Sequence, residues 1–496
     1  MISVSISVLI YTALALFGIF YLSKFVAFLY SSIKLRYFFP GPKTVSIFGH
    51  GLTDFGEEDL EKLESYVKQY PRMHRVVYGH MVRIVVACPE LIALAYAEIP
   101  DKDRIFLDMF TPAFGNGLAF SSGEIWKRNR RLLTPLFHFK CLESFCEVFN
   151  KTGDHFVEVI STKINGNSFD FSKLARLATF EATMNSICSK DCDLQNNLEN
   201  NPDQRSYLEM LDLLTAQSLI RFNNFLYIMS DTIYYMSKAG KDFLKNCKDM
   251  RNLMAKFIHE RRALTTEEPR EYNDLLDLIM KSRDEDGSGL SDEEMIDELS
   301  NFFVAGFETT TCGISFLMYC LCRHPEWQEK CREEIMEVLG DSETIAFEDI
   351  NKFECLNMCL KESLRLYSPA TLVQRIVDKP VQMDGYTLKK GTPIDIGIQS
   401  VHMNPTVWQE PSKFDPNRFS KENMEGKHPY SFIPFSAGAR NCIGQHFALA
   451  EMKVLSIKLL RSYEFSLEPG YEMIRETTTV LTQKGGLSLI AKPIQS

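Results

Sequence analysis

Residues 291–324 most constrain how this chain can fold. Ser291 and Glu294 have the spacing of a capping box, the stretch that follows is helix-compatible, and His324-Pro325 closes it. A helix of about 33 residues is about 50 Å long, the span of a whole domain. Such an element must run through a core. The pattern around it is mainly helical, with alternating or β-branched pieces near residues 81–87, 380–388 and 488–491. The expectation is a mainly α protein with small β-sheets and a long central helix. No internal repeat appears, and the charged, turn-rich residues 283–289 read as a surface loop.

Residues 2–23 carry no charged side chain, and 22 residues at about 1.5 Å each reach across a hydrocarbon core. The small-residue spacing of Ala13-Leu14-Ala15 lies inside this apolar run and no Lys or Arg precedes it, which favours an uncleaved anchor over a signal peptide. Lys24, Lys34 and Arg36 all follow the apolar run and place the body in the cytosol. The expected organisation is a single-pass membrane anchor over residues 1–33 and a catalytic domain over 34–496. Thirteen cysteines without a metal-type C-x-x-C pair agree with a reducing compartment. A net charge of -10 with no basic stripe excludes a nucleic-acid partner.

Phe435-Ser436-Ala437-Gly438-Ala439-Arg440-Asn441-Cys442-Ile443-Gly444 reads F-x-x-G-x-R-x-C-x-G. Glycines on both sides let backbone approach the sulfur, N–H groups can tune it, and Arg440 adds positive charge. A thiolate is the form of cysteine that ligates iron, and its electron donation favours O–O cleavage. An isolated cysteine would be read as an inert core residue; the full pattern reverses that reading.

This segment resembles the cysteine loop of the cytochrome P-450 family, and other stretches extend the resemblance over most of the chain. Glu362-Ser363-Leu364-Arg365 resembles the family's E-x-x-R helix, and Arg418 lies where the family would join it to that pair in a buried ion network. Ala305-Gly306-Phe307-Glu308-Thr309-Thr310 resembles the oxygen-activation motif: Gly306 leaves room for a diatomic ligand, and Thr309 and Glu308 are the expected catalytic proton-delivery groups. Back-bonding of the threonines to the preceding turn is the plainer alternative. By resemblance, Trp126, Arg130, Arg375 and Arg440 hold the haem propionates and Cys442 is the iron ligand.

Leu133-Thr134-Pro135-Leu136-Phe137-His138-Phe139 and the run from His428 to Gly438 look most like the family-four branch, known for fatty-acid ω-hydroxylation. The resemblance implies a monooxygenase of the endoplasmic reticulum membrane that uses haem b and acts on a lipophilic substrate. Electrons would come from NADPH through a flavoprotein reductase, with cytochrome b5 as a further partner, and Lys127, Arg128 and Arg131 would form the docking face. Ala305 stands where many family-four enzymes carry a glutamate that esterifies the haem, so the haem is expected to be non-covalent. Oxidation of a sterol, terpenoid or xenobiotic, a haem protein without turnover, and a reductase-independent isomerase remain open alternatives.

Overall fold

The computed structural model describes most of residues 56–494, with gaps at 79–80, 165, 190–192, 199–201, 223 and 266–273; before residue 56 it describes 8, 11–12, 14–23, 25–26, 30, 33, 38–44 and 50. The central helix is Asp292–Arg323. Its capping box is formed: the Ser291 hydroxyl accepts from the Glu294 N–H, and the Glu294 carboxylate accepts from the Ser291 N–H at 2.8 Å. It ends at His324, immediately before Pro325 starts the next helix. By length and composition this helix qualifies to cross a membrane, yet most of its apolar stretch is buried inside the protein. It is a core helix.

Helices Phe171–Cys188, Lys238–Thr265, Glu354–Leu366 and Gln445–Ser462 pack against the central helix. The central and Phe171–Cys188 helices approach so closely at Gly306 that a Cβ there would lie 3.2 Å from the Thr183 side chain. Gly306 therefore serves helix packing, an addition to the space-making role expected for it.

Four strands form the main sheet, in the order Met73–Tyr78, Met81–Val86, Pro393–Gly397 and Leu372–Ile376. Met81–Val86 runs parallel to Pro393–Gly397, and the other two pairings are antiparallel. Three smaller sheets include Val381–Met383 with Tyr386–Leu388, and Ser488–Pro493 between Phe169–Asp170 and Tyr463–Leu467. The expected strand regions near 81–87, 380–388 and 488–491 are all present, although residues 384–385 form the turn of a hairpin. Strands such as Met73–Tyr78 and Pro393–Gly397 are additional to that expectation.

Glu362 and Arg365 are fully buried on one face of Glu354–Leu366, paired at 2.7 Å, and Arg418 Nε lies 3.3 Å from the same carboxylate. Glu362 also accepts the Asp415 N–H at 2.9 Å, and Arg365 donates to the carbonyls of His402 and Pro411. The Glu362 carboxylate and the Arg365 guanidinium thus meet opposite charge and backbone, which is what permits their burial. The described cysteines are all free thiols. About half of the expected anchor, residues 1–33, lies among the described residues. Leu14–Ser23 is helical, and Leu14, Leu16, Phe17, Ile19, Phe20 and Leu22 are all exposed.

Candidate haem-thiolate site

Cys442 lies in the loop between the 3-10 turn Gly438–Arg440 and helix Gln445–Ser462. Its N–H donates to the Phe435 carbonyl at 2.9 Å, closing the loop on itself. Gly438 has φ +69°, a conformation that side chains strongly disfavour, so the motif glycine is required there. Ser436 holds a left-handed conformation as well, with φ +60°, and its hydroxyl is fixed 2.8 Å from the Tyr96 hydroxyl. Burial pushes the Cys442 thiol up from its ordinary value, while the Gly444 N–H and the Arg130 charge act in the opposite sense. A helix N-terminus and a guanidinium both favour thiolate.

The Cys442 side chain is exposed to a cavity of about 300 Å³. The walls are mostly apolar and include Phe137, Phe302, Val373 and Phe447; the central helix contributes Ala305, Gly306 and Thr309. Ala305 is exposed in a helix that is otherwise largely buried, because this is the face that looks into the cavity.

Thr309 lines the cavity, and its hydroxyl donates to the Ala305 carbonyl at 2.7 Å; Thr310 and Thr311 bond to Gly306 and Phe307 in the same way. The threonines thus do make the back-bonds of an ordinary helix, which leaves the Thr309 oxygen able to accept. Glu308 lies on a different face from Thr309. It is absent from the cavity wall and accepts from Arg176 at 2.8 and 3.0 Å, with Arg176 also paired to Asp212. Adjacent helical residues point about 100° apart. One of the pair Glu308-Thr309 faces the cavity and the other faces the Phe171–Cys188 helix.

A second acid lies beside the central helix, next to Thr310. Glu451 is completely buried on Gln445–Ser462, between the cavity-lining Ala448 and Met452, and neither of its oxygens meets the geometry of a hydrogen bond. Burial pushes its carboxyl well above the carboxylate range, against the opposing influence of the Thr310 hydroxyl. The sequence signal was a charged residue inside the apolar run Ala448-Leu449-Ala450-Glu451-Met452, and it went unread.

The expected propionate-binding side chains gather about the cysteine loop, and Arg440 also lines the cavity. Arg130 donates to the Asn441 carbonyl and side chain, both at 2.8 Å, bracing the residue before Cys442. The Arg440 guanidinium stacks on the Trp126 ring at 4.2 Å and donates to the Ser121 carbonyl. Arg375 is buried and stands 5.9 Å from the Tyr96 ring centre. Desolvation lowers the basicity of Arg130, Arg375 and Arg440, and Arg375 adds repulsion that brings Arg440 to about 10. Lys102 joins this cluster and is pushed down to about 7 by burial and by both Arg375 and Arg440. None of the four forms a salt bridge among the described residues. Neighbouring cations that make no salt bridge among the described residues fit a doubly anionic group, and the apolar cavity beside an electron-rich sulfur fits the flat body and metal of a haem. Lys102 carries no motif that would have revealed it.

The expected docking cations are mostly neutralised within the protein. Lys127 pairs with Glu124, Arg128 with Glu294 and Asp284, and Arg131 with Asp284. Glu124 lies on the same helix as the cations, and Asp284 and Glu294 come from the 283–289 loop and the start of the central helix, so a positive face read from the sequence is not a free one.

A cysteine at a helix N-terminus, opening onto an apolar cavity and with unpaired cations gathered about its loop, defines a haem-thiolate enzyme. The chain belongs to the cytochrome P450 family, whose pattern matches residues 39–495, and its curated relatives place it in the family-four branch. It is similar to rat cytochrome P450 4B1, with 36% identity over 92% of this chain and 90% of that protein. It is 35% identical to mouse leukotriene-B4 omega-hydroxylase 3 over 92% and 89% of the two chains, and 35% identical to human cytochrome P450 4F11 over 93% and 90%. The crystal structure of the cytochrome P450DA heme domain superposes with a TM-score of 0.81 at 21% identity, covering 92% of this chain and 98% of that one. The protein is therefore a P450 monooxygenase.

Proposed function

We propose that this monooxygenase hydroxylates fatty acids at or near the terminal carbon, using non-covalent haem b and electrons from NADPH delivered by a flavoprotein reductase, with cytochrome b5 as a second donor. In this reading residues 1–33 anchor it to the endoplasmic reticulum membrane and residues 34–496 form the cytosolic catalytic body. The observation that carries the proposal is the Cys442 sulfur opening onto an apolar cavity faced by Ala305 and Thr309. The similarity to a protein named as an omega-hydroxylase supports a fatty-acyl substrate.

Haem, when bound, supplies the activation of O2 and the redox chemistry. The chain supplies the rest. Cys442 holds the iron as thiolate, and Trp126, Arg130, Arg375, Arg440 and Lys102 hold the propionates. Apolar walls exclude water and position an alkyl chain, a task in which small displacements cost rate. The Thr309 hydroxyl orders the proton donors on the cavity side of the central helix. Ala305 has no carboxylate with which to esterify the haem.

Reconstitution with reductase and NADPH, followed by mass spectrometry on a panel of fatty acids and sterols, tests the proposal. Terminally hydroxylated fatty acids are expected. NADPH-dependent products from sterols alone would overturn the substrate assignment.

A further inference from the structure

Away from the haem site, three thiols converge where two helices meet. Cys331 belongs to Pro325–Leu339, whereas Cys355 and Cys359 occupy one face of Glu354–Leu366. The Cys331 sulfur lies 3.7 Å from each of the other two, and all three sulfurs lie within 4.8 Å of one another. Cys331 and Cys359 are fully buried and Cys355 is half-buried, which leaves an approach from one side. The sequence showed no C-x-x-C pair because the third ligand arrives from another helix.

We propose that Cys331, Cys355 and Cys359 form a binding site for a thiophilic d10 cation, zinc or copper(I). Sulfurs bound at about 2.3 Å in tetrahedral geometry stand about 3.8 Å apart, close to the spacing already present. Soft thiolates select such ions over magnesium or calcium. Cys355 is the second residue of its helix, where the positive end of the macrodipole favours the thiolate. The neighbouring Glu334 carboxylate accepts the N–H groups of Cys355 and Leu356 at 2.7 and 3.0 Å, fixing both helices in register before any ion arrives. Water on the open Cys355 side completes the coordination. The ion ties Pro325–Leu339 to the helix that carries Glu362 and Arg365, so occupancy strengthens the frame of the haem core and raises the unfolding temperature by mass action.

The test uses tag-free, full-length holoprotein, stripped with a chelator and titrated separately with zinc and with copper(I) against a competing chelator. Stoichiometric, chelator-competing uptake is expected, together with X-ray absorption at the edge of the bound metal showing a first shell of sulfur at about 2.3 Å. Cys355→Ser, the least buried position, should weaken binding by ~10-fold or more while keeping the thiolate-haem spectrum; the double variant Cys331→Ser/Cys359→Ser should abolish it, and Cys322→Ser should leave it unchanged. The uptake preference between the two ions identifies the natural class. Substoichiometric uptake of both ions, a shell without sulfur, or undiminished uptake by Cys355→Ser would overturn the site.

Discussion

Cys442 was legible because its whole environment is local: the glycine that needs positive φ, the arginine and the cysteine fall within ten residues. The surroundings of Glu308 were not legible, for the opposite reason. Sequence adjacency to Thr309 does not give a shared helical face, and its partner Arg176 lies 132 residues away. Lys102 carries no sequence signal and Glu451 only a charge inside an apolar run, because the significance of both arises from what surrounds them after folding. Thr309→Ala should keep haem binding and spectrum but divert NADPH to hydrogen peroxide, lowering product per NADPH by about tenfold or more; unchanged coupling would remove Thr309 from proton handling. At Ala305 the expectation is haem that separates from the polypeptide on denaturing chromatography, and product mixtures with some in-chain hydroxylation. Ala305→Glu should create co-eluting haem and narrow the mixture toward the terminal carbon. Covalent haem without narrowing would break the link between attachment and regioselectivity.

At the scale of elements, the central helix was readable to within a residue because both end signals are local and strong. The buried strand Pro393–Gly397 is short and gains its place only by pairing on both sides, information no window of sequence contains. The ion network on Glu354–Leu366 was readable as a spacing, while its acceptors at His402 and Pro411 were not. Removing its only described carboxylate by Glu362→Ala leaves Arg365 and Arg418 uncompensated and should cost about 3–5 kcal/mol, measured as a lower unfolding midpoint; an unchanged midpoint would contradict the network's role. His402 gives this region a pH dependence. It is fully buried, its Nε2 accepts the Ile433 N–H at 2.9 Å, and burial, then the Arg365 charge, pushes it down to about 3. The unfolded chain protonates this residue near 6.5 and the folded chain only near 3, so its stabilisation is complete above about pH 6.5 and is lost as pH falls toward 3. His74, pushed down to about 4 chiefly by burial, acts in the same direction. Unfolding midpoints measured from pH 7 to 4 should fall, and His402→Gln should make that fall shallower. An equally steep fall in the variant would place the titration elsewhere.

For the molecule as a whole, the fold brings one of the described thiols, Cys442, to the cavity. Among the described cysteines only Cys442 is exposed. Helices packed on Asp292–Arg323 form the apolar walls, and four cations from separate parts of the chain meet about the cysteine loop. Composition and periodicity gave the mainly α class, but the convergence of Arg130, Arg375, Arg440 and Lys102 is a property of the closed fold. The carbon monoxide difference spectrum of the reduced, intact holoprotein tests this account most directly. The wild-type protein should show a band at about 450 nm, the signature expected of thiolate ligation, and Cys442→Ala should lose it. A Cys442→Ala variant that keeps the band would show that another group holds the iron and would contradict the account.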